Sequence, residues 1–104
     1  MARMIIAIDF DGCLCHDAWP EIGKPRKRVM RKAIRRQRKG DTLILWTCRE
    51  GESLKRALEW CVAQGLYFDF ANENTPERIA EFGNDCRKIG ADLYIDDKAR
   101  WLLW

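Results

Sequence analysis

The chain has a single histidine, His16, and it sits beside Cys13 and Cys15 with no second cysteine pair at finger or ribbon spacing. A structural zinc site needs about four ligands, so this cluster does not read as a zinc motif. No apolar run approaches the roughly 20 residues of a membrane-crossing helix. The start shows no secretory signal pattern either, and the expectation is a cytoplasmic protein without a membrane partner. Five cysteines cannot all pair, and without the framework that staples small secreted domains the thiols are expected to be reduced. Repeats, low-complexity tracts and linkers are also missing, so 104 residues read as one domain, 1–104. The most informative absence is local: from Lys24 to Lys39 there are ten Lys or Arg and no acid, although the whole chain carries only +3. The rest is therefore an acidic domain bearing one basic stripe.

What is present has the rhythm of alternating strands and helices. Met4 to Asp9 is almost continuously apolar and ends in a carboxylate, as a strand buried on both faces does. Thr42–Thr47, Leu66–Phe70 and Asp92–Asp96 repeat the pattern, with segments between them long enough for helical crossovers. Val29, Met30, Ala33, Ile34 and Gln37 recur at helical spacing and Gly40 stops the run. A second helix is expected from about Ser53 to Gln64, with Leu54, Ala57, Leu58 and Cys61 inward and Gly65 ending it. A short third one, Pro76–Phe82, has Thr75 as its cap. The fold class is α/β: an open, mostly parallel sheet flanked by helices.

In such sheets ligands sit at the carboxyl ends of the strands. Asp9 and Asp11 end the first strand and, two apart, face the same way. Thr47 ends the second, and Asp96-Asp97 the fourth. Taken singly, an Asp doublet is an ordinary solvated turn and Thr47 an ordinary strand residue. Together they bring four carboxylates to one edge, a repulsion that calls for a cation, and oxygen-only ligands select a hard ion such as Mg²⁺.

This order of motifs resembles the haloacid dehalogenase-like (HAD) superfamily: strand then Asp-x-Asp, strand then Thr, a Lys, and strand then paired Asp. The chain is similar end to end to a short, capless subgroup, through Ile-Asp-Phe-Asp-Gly, Trp19-Pro-Glu-Ile-Gly23, Leu45-Trp-Thr-Cys-Arg-Glu-Gly51, Asn72-Glu-Asn and Phe82-Gly-Asn-Asp85. The resemblance implies a three-layer Rossmann-like fold with about four parallel strands in the order 4-1-2-3 and no cap domain. It also implies a Mg²⁺-dependent phosphomonoesterase. Asp9 would be the nucleophile, Asp11 the acid and base, Thr47 a donor to phosphoryl oxygen, and Lys88 the charge-balancing cation. Lys55 is the other candidate for the last role. Mg²⁺ would be held by Asp9, the Asp11 carbonyl and Asp96 or Asp97. Gly12, Cys48 and Arg49 would contact substrate, the alternative for Arg49 being a pair with Glu50 or Glu52. Where the superfamily usually has Thr or Val, this chain has Cys13. Trp19 either flanks the entrance or packs under the Cys13–Pro25 segment.

The substrate class is a phosphorylated small molecule, nucleotide or polynucleotide end. The other functional reading is a catalytically weak domain that binds nucleic acid through Arg26–Lys39, since a charge run is either a helix's solvated face or a polyanion surface. A homo-oligomer is compatible with the aromatic residues Trp101 and Trp104 near the end of the chain.

Overall fold

The computed structural model describes residues 3–85 and 88–96. Asp97, Trp101 and Trp104 lie outside them. The elements, in chain order, are β1 (Ile5–Ile8), β2 (Cys15–Ala18), β3 (Glu21–Pro25), α1 (Lys27–Arg38), β4 (Thr42–Leu45), α2 (Gly51–Ala63), β5 (Phe70–Ala71), α3 (Pro76–Phe82) and β6 (Leu93–Ile95). Four strands form a parallel sheet ordered β5-β4-β1-β6, and β2 and β3 form a separate antiparallel pair. Among the described residues this is a small α/β protein with a four-stranded parallel sheet and three helices.

Two features depart from the sequence-based expectation. The chain-order numbering of the sheet differs from 4-1-2-3 because the β2–β3 hairpin intervenes between the first two sheet strands. The third sheet strand shrinks to Phe70–Ala71. Leu66 turns into the core instead, fully buried, with its N–H on the Cys61 carbonyl at the end of α2. Asp69 then uses its carboxylate to accept the Leu43 N–H at 2.9 Å.

The central pair β1–β4 carries the core. Ile6, Ile8, Leu43 and Leu45 are fully buried on one face, where Met30 and Ala33 of α1 and Ala57 and Cys61 of α2 pack against them. Each of the Ile, Leu and Met side chains contributes about 1.5–3 kcal/mol by leaving water. On the opposite face Ala7, Ile44 and Ile89 form a smaller cluster with Trp46, Phe70 and Tyr94.

The acids divide between the two edges of this sheet. At the starting edge, Asp41, Asp69 and Asp92 accept the N–H groups of Met4, Leu43 and Ile5 at 2.9, 2.9 and 2.7 Å. These three carboxylates complete the ladder where no neighbouring strand supplies an acceptor. At the finishing edge, Asp9, Asp11 and Asp96 have a different fate.

Candidate active site

Asp9 follows the last residue of β1, and its N–H still reaches across to the Ile95 carbonyl at 2.8 Å, so β1 and β6 deliver Asp9 and Asp96 side by side. The chain then turns. Phe10 is fully buried in the core, its carbonyl accepts from the N–H groups of Cys13 and Leu14, and Gly12 takes φ of 82°, a left-handed conformation that suits glycine. Gly12 therefore contributes the turn that sets Asp11 beside Asp9.

Thr47 lies just beyond β4. Its N–H donates to Asn72 Oδ1 at 2.8 Å and its Oγ1 accepts the Arg49 N–H at 3.1 Å. A hydroxyl in that position retains its own proton for donation to a ligand. Asn72, at φ 55°, also donates from Nδ2 to the Arg49 carbonyl at 3.4 Å, so the loop after β5 orders the loop after β4. Asn74, buried beyond it, accepts the Gly90 N–H at 2.6 Å and donates to Asp85 at 2.8 Å. The Asn72-Glu-Asn and Phe82-Gly-Asn-Asp85 segments thus meet at a hydrogen bond.

Asp9, Asp11, Asp17, Trp46, Thr47, Cys48 and Asp96 line one cavity of about 440 Å³. The structure brings together five of the expected site residues, Asp9, Asp11, Thr47, Cys48 and Asp96. It adds Trp46, which the sequence showed only as part of the second strand, and Asp17, which carried no sequence signal because it stands on β2, whose exposed side chains show no apolar alternation.

Two expected site residues stand apart from the cavity that holds Asp9. Lys88 is exposed and lines a different recess, with Phe82, Ile89, Gly90 and Tyr94. Its neighbour Ile89 is 2% exposed in the cluster with Ala7 and Ile44, which anchors the segment on that face of the sheet. Lys55 is exposed on α2. Among the described residues, the cation that meets Asp11 is Arg49, which is 1% exposed. Its Nε and one terminal nitrogen hold the two Asp11 oxygens at 2.8 and 2.7 Å, and further bonds reach the Pro20 and Glu21 carbonyls at 3.5 and 3.0 Å. The guanidinium lies between two rings, 5.1 Å from the Phe10 centroid and 4.9 Å from that of Trp19. The Asp11 hydrogen bond holds its proton even more tightly than usual. Arg49 is therefore an internal strut between Asp11 and the β2–β3 hairpin; its donors serve protein oxygens in place of the expected substrate contact.

The buried thiols are not set up as nucleophiles. Burial pushes Cys61 up to about 12 and raises Cys15 as well, and it is the thiolate that reacts. Cys13, beside the expected acid, is buried too, with its Sγ directed to the Ile95 carbonyl at 3.9 Å. It links the turn after β1 to β6, at the position where a hydroxyl-bearing or branched residue was expected.

Neither a protein-family model nor a curated protein sequence matches the chain. A solved structure does: the conserved protein coded by locus from Bacteroides thetaiotaomicron is 42% identical, with a TM-score of 0.82 over 97% of this chain and 79% of that one. The chain belongs to that protein's family. The match runs over nearly the whole chain, so the site and the sheet that carries it lie within the shared fold.

Proposed function

We infer that this protein is a Mg²⁺-dependent phosphohydrolase of the HAD-like type, without a cap domain, acting on phosphate monoesters through an aspartyl-phosphate on Asp9. The observation that carries the reading is the convergence of Asp9, Asp11, Thr47 and Asp96, from the ends of three adjacent parallel strands, on one open cavity. Asp9 would attack phosphorus in line, forming a bond from its carboxylate oxygen while the ester P–O bond breaks. Asp11 would give a proton to the departing oxygen, then take one from the water that hydrolyses the aspartyl-phosphate. Thr47 would donate to a phosphoryl oxygen throughout. The Arg49 strut fixes where Asp11 stands but holds both of its oxygens, so the proton steps would require one of those two contacts to be released.

The described residues contain no preformed cluster of three or more His, Cys, Asp or Glu ligands. Mg²⁺ is a hard ion that keeps several waters and binds through one or two carboxylates, and Asp9 with Asp96 on adjoining strand ends fits that habit. Asp97, the other expected ligand, lies outside the described residues. When bound, the ion would neutralise the carboxylates and the incoming phosphate.

The test is phosphate release from an aryl phosphate with and without Mg²⁺. Turnover is expected only with the ion, and Asp9→Asn is expected to lower it by a factor of about 10³ or more. Substantial turnover by the Asn variant would remove Asp9 from the mechanism.

A second reading is favoured by the surface of α1. Lys27, Arg28, Arg31, Arg35 and Arg38 are exposed, the helix has no acid, and Arg36 pairs with Asp41 at 3.3 Å. Nucleic acid is a partner suited to that face, and a polynucleotide end as substrate would join the two readings.

A further inference from the structure

Deepening the phosphohydrolase reading, on which its chemistry rests, we propose that Trp19 is the stacking platform of a leaving-group subsite that takes nucleoside monophosphates. Three observations lead there. First, Trp19 is fixed while exposed. The residue is 59% exposed at the turn of the β2–β3 hairpin, yet its ring packs on a guanidinium that is itself locked to Asp11 and backed by Phe10. The Trp19 backbone N–H donates to Asp17 Oδ1 at 3.2 Å, which holds the turn. An aromatic face held in place offers contact area at low ordering cost.

Second, Trp19 borders the right space. A cavity of about 340 Å³ is lined by Asp11, Asp17, Trp19, Cys48 and Arg49. It shares Asp11, Asp17 and Cys48 with the cavity that holds Asp9 and Thr47. A phosphoryl group at Asp9 would direct its leaving oxygen to Asp11, and the remainder of the substrate would continue toward the indole. Third, the lining selects. The indole takes a planar ring, and the Asp17 carboxylate between the two spaces accepts hydrogen bonds from hydroxyls and repels further anions. A base and a ribose on a single phosphate meet all three requirements.

The experiment compares adenosine 5′-monophosphate with ribose 5-phosphate, the same ester without its ring. Both kcat/KM with Mg²⁺ and equilibrium binding are measured, the latter by indole emission. The wild type is expected to favour the nucleotide by about tenfold or more, as one stacked base does. Trp19→Ala should bring the ratio toward one, Trp19→Phe should keep most of it, and the emission quench on nucleotide binding should be lost in Trp19→Phe. Turnover with no preference, or a preference that survives Trp19→Ala, overturns the subsite and leaves the phosphohydrolase reading standing. Trp19-dependent nucleotide binding without turnover does the reverse. Absence of both binding and turnover rejects both.

Discussion

A guanidinium removed from water has to be matched donor by donor, and Arg49 is matched by one carboxylate, two carbonyls and two ring faces. Arg49→Met keeps the bulk and deletes the bonds, leaving Asp11 beside a thioether. Because the Asp11 side chain is still 21% exposed, water softens the loss. The expected cost is about 2–4 kcal/mol, at the lower side of breaking a buried pair. It would be read as a drop in the urea midpoint at unchanged slope. Arg49→Lys should recover less than half of it, since an ammonium cannot reproduce the two-pronged contact. A loss below about 1 kcal/mol would mean that the strut carries little of the fold. The sequence placed Arg49 near the site but not its partner: Asp11 is 38 positions away, and Glu50 and Glu52 were the acids in view.

At the scale of elements, the hairpin is the part most sensitive to a single added atom. A Cβ on Gly23 would stand 2.0 Å from the His16 carbonyl oxygen across the β2–β3 pair. Gly23→Ala is therefore expected to push the two strands apart, costing about 1–3 kcal/mol. The shift should displace Trp19 and appear as a changed near-ultraviolet aromatic signal alongside the urea midpoint. An unchanged signal would show that the hairpin tolerates wider spacing. This element was also the least legible in the sequence. Apart from buried Cys15, its strands show exposed or half-buried positions rather than apolar alternation, and the pairing slips between Cys15 and Asp17. The helices were legible for the opposite reason. Around α3, Thr75 accepts the Arg78 N–H at 3.3 Å, Pro76 opens the first turn and Gly83 takes φ 82° at the end, so the sequence-based bounds Pro76–Phe82 are those observed. The start of α2 moved from Ser53 to Gly51 because Ser53 serves as a partner to the Glu50 N–H, inside the helix.

Across the whole molecule, charge is sorted by position. Three acids finish the starting edge of the sheet, others gather at the finishing edge, and the cations concentrate on α1. That face carries no large exposed apolar residue, which a membrane-surface helix would need. Replacing Arg31 and Arg35 together by Glu is expected to abolish oligonucleotide binding if α1 is the contact. In the wild type the logarithm of the binding constant should fall with log salt at a slope near −0.7 per neutralised phosphate on a single strand. A binding constant unmoved by salt, or by the double replacement, would exclude α1 as the contact. The sequence showed the stripe itself, because composition reads directly from the chain. The division of the acids was hidden, since Asp41, Asp69 and Asp92 look like any strand-flanking carboxylates until their backbone donors are seen.

The brevity of β5 bears on how copies of this chain can meet. Its two residues leave a visiting strand almost nothing to zip onto at that border, and a frayed or concentrated sample has little template there for fibre growth. Any stable pairing on that side would have to be made by interlocking side chains instead of by continuing the ladder.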